Sequence, residues 1–253
     1  MQVSNLFIIW LQLVICIVGA IKPGRNRDQC PDTFEQPFDY ESIAEYSVIG
    51  HPSARIAPCV AITQLSVGRL HQLENLISVW KGVISAAIYV PTDKREANLA
   101  LIQEFSSRLT NRSDTKSYTI LSVLFGHEDT PSRYNCSGKG MIGFPLYPVN
   151  NLRNLAVAAS AGPTGHTYPL FFLTDADFYP SLGLRSWIDA HAESGLIKRC
   201  DGGDMIVVPA FESQKPITSS SQTFLLTGIR DGTIKQFHID RYIEGHRPTD
   251  YAK

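Results

Sequence analysis

An α/β fold built on a mostly parallel sheet is the architecture this sequence predicts, on two observations. Apolar runs of strand length alternate with segments whose apolar residues recur at helical spacing. The strand-like runs are apolar at successive positions, not at every second one, which is the pattern of strands covered on both faces.

From the N-terminus, residues 6–21 (LFIIWLQLVICIVGAI) are almost wholly apolar, with Gln12 the main interruption. That length lies between the apolar core of a signal peptide and the roughly 20 residues that span a bilayer. Val18-Gly19-Ala20 offers a small-residue cleavage site, while Lys22, Arg25 and Arg27 follow the run. Residues 1–21 are therefore expected to direct secretory entry, as a cleaved signal peptide or as a type II signal anchor. Residues 22–57 read as an irregular stem with several Pro, Asp and Glu.

Residues 58–65 (PCVAITQL) form the first predicted buried strand, after which Ser66 is placed to cap a helix. The apolar stripe of that helix is Leu70, Leu73, Ile77 and Trp80. A second strand covers 85–90 and is halted by Pro91. Residues 93–109 are helical, with Leu99, Ile102 and Phe105 on one face, and 117–125 form a third strand. A long polar connection containing glycine, 126–143, leads to a helix over 150–161 that Gly162-Pro163 ends. Residues 168–173 (YPLFFL) make a short apolar strand and 205–209 (MIVVP) another. Parallel sheets of this kind bind ligands outside the carboxyl ends of their strands.

With 253 residues, 43% of them hydrophobic and 19% charged, the chain can bury a full core. Its net charge of −1 excludes a global field that would draw DNA, RNA or an anionic membrane, so partners must be sought at local sites. Asn111 and Asn135 each open an N-glycan acceptor tripeptide. Beyond the apolar segment lie Cys30, Cys59, Cys136 and Cys200, an even number without metal-like spacing. One or two disulfides, or four buried thiols, satisfy that pattern.

The chemistry concentrates at Asp175-Ala176-Asp177, directly behind the strand over 168–173. If the chain stays extended there, residues two apart face the same side, and two converging carboxylates repel unless a cation intervenes. A hard divalent ion, Mn²⁺ or Mg²⁺, relieves that repulsion and bridges to phosphate oxygens, acting as a Lewis acid towards a departing diphosphate. A solvated acidic turn is the plainer reading of the same residues. Arg153, near a helix start at Asn150, suits an anionic ligand, or else Asn150 merely caps and Arg153 is solvated. His71 and His127 read as surface or core histidines. No Walker or dinucleotide glycine loop, no zinc spacing and no nucleophile elbow occurs.

Six segments then resemble one family: 64–74 (QLSVGRLHQLE), 84–91 (ISAAIYVP), 147–156 (YPVNNLRNLA), 172–180 (FLTDADFYP), 208–212 (VPAFE) and 245–253 (GHRPTDYAK). In order and spacing they are similar to the LARGE-type glycosyltransferases and the related β-1,4-glucuronyltransferase, the family 49 glycosyltransferases. The resemblance covers residue 58 to the end. It implies a GT-A (Rossmann-like) nucleotide-sugar-binding domain over 58–253 and a Golgi location on the lumenal side, held to the membrane by the N-terminal segment. Secretion, or the ER lumen after signal cleavage, is the other expected location.

The resemblance also implies transfer of glucuronic acid from UDP-glucuronic acid to a terminal sugar of a glycoprotein glycan, with Mn²⁺. Asp175 and Asp177 carry over as the metal pair, and Arg153 and Asn154 as donor contacts. Family members continue past the position of Lys253, so a domain incomplete at its C-terminus is expected, with the general base unassigned. A non-catalytic nucleotide-sugar-binding subunit, partnered by a full-length relative, is the competing expectation. A phosphohydrolase with Asp175 as nucleophile is set aside, because such enzymes usually carry their aspartates after the first strand.

Overall fold

In the computed structural model of the chain, the described residues are 7–8, 14–15, 47–50, 57–111, 118–126, 147–161, 167–213 and 221–237. Four parallel strands form the centre of the sheet: β1 (Cys59–Ser66), β2 (Val83–Pro91), β3 (Tyr118–Gly126) and β4 (Leu170–Leu173). Their spatial order is β3-β2-β1-β4. The chain therefore winds outward from β1 through β2 to β3, then returns to lay β4 on the other side of β1. That reversal makes the crevice between the carboxyl ends of β1 and β4 the natural ligand site of the sheet. The expected α/β architecture is present, and the parallel sheet agrees with a GT-A domain.

Two edges extend the sheet with antiparallel pieces. Ser47–Gly50, within the stretch read as a stem, pairs with β3. Val14–Ile15 lies between β4 and Met205–Ile206, and Phe7–Ile8 pairs parallel with Phe178–Tyr179. These four N-terminal residues come from the apolar stretch 6–21, most of which lies outside the described residues. Among the described residues no helix is long and apolar enough to cross a membrane.

Alternation within the strands builds two cores. On one face Cys59, Ala61, Ile84, Ile88, Leu121 and Phe172 meet α1 (Leu70–Trp80), α2 (Arg95–Thr110) and α4 (Leu184–His191). On the other, Val60, Ile62, Val83 and Ile120 meet α3 (Val149–Ala161) through Leu152, Ala156 and Ala159. The predicted stripe of α1 is buried at Leu70, Leu73, Ile77 and Trp80, joined by Leu76. Each such side chain contributes about 1.5–3 kcal/mol when fully removed from water. Ser85, a polar residue inside β2, is satisfied by donating to the Ala156 carbonyl of α3 at 2.6 Å, which ties that helix to the sheet.

Several boundaries differ from expectation. Ser66 makes no side-chain cap, because a single 3₁₀ turn, Val67–Arg69, separates it from α1. Pro91 closes β2 as its last residue, and β4 begins at Leu170. Of 205–209 only Met205–Ile206 is strand. α3 starts at Val149, directly after Pro148, whose missing N–H would be unpaired in a first helical turn anyway, so Asn150 sits inside the helix and not at the cap position expected of it. The connection over 127–143, Gly162-Pro163 and His127 lie outside the described residues.

Between β4 and the C-terminal elements the chain forms α4, a wide turn over Ala192–Leu196, and α5 (Ile197–Asp201). Arg185 of α4 lays its guanidinium against Gly82, where any Cβ would collide with it, and is paired to Asp189 at 2.8 Å. A hairpin of β5 (Phe211–Ser213) and β6 (Ile234–Gln236) encloses α6 (Gln222–Arg230), capped by Ser221 accepting from the Phe224 N–H at 3.2 Å. Of the four cysteines beyond the apolar segment, Cys200 is disulfide-bonded, to a partner outside the described residues. Cys59 is a free thiol inside the core, its pKa pushed up to about 12 by burial.

Candidate functional site

The site is assembled where β1 and β4 end. The ladder between them closes at the pairing of Ile62 with Leu173, and the Thr174 N–H still reaches the Ile62 carbonyl at 3.0 Å. Beyond that the chain has no strand neighbour for its next carbonyl. Asp175 instead accepts the Phe178 N–H at 3.1 Å, so Asp175–Phe178 is a tight turn and not the extended segment expected from the sequence. Ala176, inside the turn, is buried. Tyr179, just past the turn, accepts a hydrogen bond from the Asn75 side chain of α1 at 2.9 Å, and Phe178 stacks edge-on against Phe237. The acidic turn is therefore braced from both sides.

Both carboxylates face basic or amide groups. Arg153 donates through Nη2 to Asp175 Oδ1 at 2.9 Å, and Gln64, near the end of β1, donates through Nε2 to the same oxygen at 3.3 Å. The Tyr147 hydroxyl donates to Gln64 Oε1, which fixes the amide in the orientation that serves Asp175. Tyr89 packs edge-on against Tyr147 with ring centres 5.6 Å apart. Arg69, at the start of α1, holds Nη1 3.8 Å from Asp177 Oδ2. Burial, and after it the charge on Asp175, raises the pKa of the Asp177 carboxyl, against the lowering effect of its backbone hydrogen bond and of Arg69. Burial likewise keeps Tyr147 a neutral phenol, with Arg69 opposing and Asp175 reinforcing the shift.

Of the residues singled out from sequence, Asp175, Asp177 and Arg153 are brought together here. Arg153 serves through its side chain one turn inside α3 and not through the helix terminus. Asn154 lies one residue on, about 100° further round the helix, and is exposed. Asn111 follows the last turn of α2 and is exposed, while Asn135 and the rest of both tripeptides lie outside the described residues. Gln64, Arg69 and Tyr147 had no role assigned from sequence. The available sign was positional: Gln64 is the polar residue at the end of an apolar strand, and Arg69 the first base after it.

Among the described residues no group of three or more His, Cys, Asp or Glu stands ready to enclose a metal ion. The pair of carboxylates still fits a hard cation, since Mg²⁺-type sites commonly take one or two carboxylates and complete their shell with waters and substrate phosphates. The two carboxylates stand on one tight turn at the end of the sheet, where a cation between them would relieve the like charge that, after burial, raises the pKa of Asp177.

Comparison with known proteins gives the same direction. Residues 58–253 match the family model described as "Glycosyl-transferase for dystroglycan". The rat xylosyl- and glucuronyltransferase LARGE2 is 31% identical over 204 residues, covering 80% of this chain and 26% of that protein. The human LARGE2 counterpart is 33% identical over 205 residues, with 80% and 24% covered, and human LARGE1 is 28% identical over 211 residues, with 80% and 23% covered. The chain thus spans about a quarter of the length of these curated relatives.

Proposed function

The chain belongs to the glycosyltransferase family for dystroglycan, and on that premise we propose that it takes glucuronic acid from UDP-glucuronic acid to a terminal sugar of a glycoprotein glycan, using Mn²⁺ or Mg²⁺. The observation that carries this reading is the acidic turn Asp175–Phe178 at the crevice between β1 and β4, with Arg69 and Arg153 facing its two carboxylates. A bound divalent cation supplies charge neutralisation for the departing diphosphate. Asp175 and Asp177 would hold it. Arg153 and Arg69 offer planar donor forks that match phosphate or carboxylate oxygens. Gln64, locked by Tyr147, fixes the direction of Asp175, and preorganisation of this sort is what lets such a site act without reorganising as the bond breaks. Asn154 is retained as a donor contact, from its exposed place beside Arg153 on α3.

Calorimetric titration of UDP, with and without Mn²⁺, tests the site. Binding is expected only with the metal, and metal-independent binding of equal strength would overturn the assignment. Radiolabel transfer to a xylose-terminated acceptor, comparing UDP-glucuronic acid with UDP-xylose, then tests the donor. The relatives are named for both sugars, and preference for UDP-xylose would replace the glucuronyl reading.

The location proposed is the Golgi lumen, entered through residues 1–21 as signal peptide or anchor. Support comes from the disulfide at Cys200, a bond of oxidising compartments, and from the exposed Asn111. Expression in secretory cells is expected to give a chain whose mobility rises on glycosidase digestion, by two steps in the wild type and one in Asn111→Gln. An unshifted cytosolic chain is the contrary result.

A further inference from the structure

We propose that Arg69 and Arg153 are displaceable counter-ions of the Asp175–Asp177 pair: a divalent cation takes their place, and the released guanidinium groups then bind the anionic donor. The inference rests on the reading of the acidic turn as a cation and diphosphate site. It adds a consequence that this reading does not contain, which is that the two arginines oppose the metal and favour the nucleotide.

The arrangement carries it in three ways. First, each carboxylate has its own arginine, brought by elements packed on opposite faces of the sheet. Arg69 ends the 3₁₀ turn that leads into α1 and pairs with Asp177, while Arg153 lies on α3 and pairs with Asp175. Second, both contacts are of the kind that yields. The side chains are 58% and 29% exposed in the Arg69–Asp177 pair and 41% and 39% in the Arg153–Asp175 pair. Exposed ion pairs of this type hold weakly and are screened by salt. Third, Asp175 Oδ1 already accepts from both Arg153 and Gln64. With both acceptor directions of that oxygen taken, a cation can bind it only as a donor leaves, and a positive ion arriving beside a guanidinium is repelled by it. Gln64 is neutral and pinned by Tyr147, so it can stay and keep Asp175 aimed. Arg153 is charged and must turn away.

A guanidinium released within this crevice would be free to pair its planar fork with the phosphate oxygens of a bound donor. Cation and nucleotide should therefore bind with positive cooperativity, each raising the affinity of the other by the same factor. Removing either arginine has effects of opposite sign on the two ligands. A purely structural ion pair, or an arginine that touches the donor alone and stands away from the carboxylates, does not produce that reversal.

The test uses the chain with Arg153→Gln, Arg69→Gln and Arg153→Lys. Mn²⁺ alone is titrated by the loss of its free electron-paramagnetic signal, and UDP is then titrated by calorimetry at saturating Mn²⁺. Arg153→Gln is expected to bind Mn²⁺ alone roughly three- to tenfold more tightly and UDP roughly tenfold more weakly. Arg69→Gln, whose contact is longer, follows in the same directions with a smaller gain for Mn²⁺. Arg153→Lys keeps the charge and stays near wild type for Mn²⁺. If Arg153→Gln does not fold, as judged by its melting curve, Arg69→Gln on its exposed turn decides the sign. Unchanged or weaker Mn²⁺ binding in folded Gln variants, with the wild type binding both ligands, overturns the inference alone. A wild type that binds neither Mn²⁺ nor UDP overturns the parent reading and this inference with it.

Discussion

Asp177→Asn should lower the affinity for UDP in Mn²⁺ by at least about 100-fold, because loss of even the outer partners of a metal ligand typically weakens binding 10- to 100-fold. Its thermal stability should be equal to or higher than that of the wild type. Asp177 is partly buried and lies beside the like charge of Asp175, and its backbone hydrogen bond and the 3.8 Å contact with Arg69 do not fully offset these. The sign follows from the raised pKa: the folded chain favours the protonated carboxyl, so above the ordinary carboxylate range the ionised group opposes folding. A neutral amide of the same shape removes that opposition together with the cation site.

Asp175→Asn should weaken UDP binding as severely but behave differently in the melt. It gives up the charge partner of Arg153 and leaves Gln64 a neutral, weaker acceptor, in contacts that are half exposed and together worth about 1 kcal/mol. Calorimetry and thermal melts on both variants read the two effects separately. Retained UDP affinity in either variant would remove the acidic pair from the donor site.

The largest loss of stability is expected from Trp80→Ala. Trp80 ends α1, is fully buried, and stacks on Phe172 of β4 with centroids 5.0 Å apart and planes 9° from parallel. Its Nε1 donates to the Val83 carbonyl at 3.0 Å, joining the end of α1 to the start of β2. Truncation of a buried tryptophan to alanine costs roughly 3–5 kcal/mol, a large part of the 5–15 kcal/mol that holds a typical domain. Trp80→Phe keeps an aromatic ring against Phe172 but loses the hydrogen bond and part of the buried indole, so a smaller loss of about 1–3 kcal/mol is expected. Urea denaturation measures both. Since Phe172 lies three residues before Asp175, Trp80→Ala should also weaken UDP binding even where the chain remains folded, whereas Trp80→Phe should leave it within a few-fold. Equal UDP affinity in a folded Trp80→Ala chain would show that the acidic turn does not depend on that stack.

Legibility varied with the range of the forces concerned. The helical stripe of α1 and the doubly apolar strands β1 to β3 were plain, because local periodicity reports which faces a neighbour must cover. The segment after β4 carries an equally regular sign: Leu184, Ile188, Ala192, Leu196 and Cys200 recur every fourth residue and are all buried. A wide turn at Ala192–Leu196 divides that run into two short helices, each below the length at which periodicity stands out. The ends of elements were least legible. Ser66 and Asn150 both have cap chemistry, yet a 3₁₀ turn and Pro148 took the positions they were expected to fill.

By itself the sequence determined the α/β class, the strand that precedes Asp175 and Asp177, and the family to which residues 58–253 belong. All of these are written in local pattern or in the order of short segments. Only the tertiary structure decided that the two aspartates sit on a turn, and that Gln64, Arg69, Tyr147 and Arg153 are their neighbours. Gln64 and Asp175 are 111 residues apart in the chain. They meet because β4 returns to the free side of β1, a choice made by packing two faces of one sheet at once, and no spacing within the sequence records it.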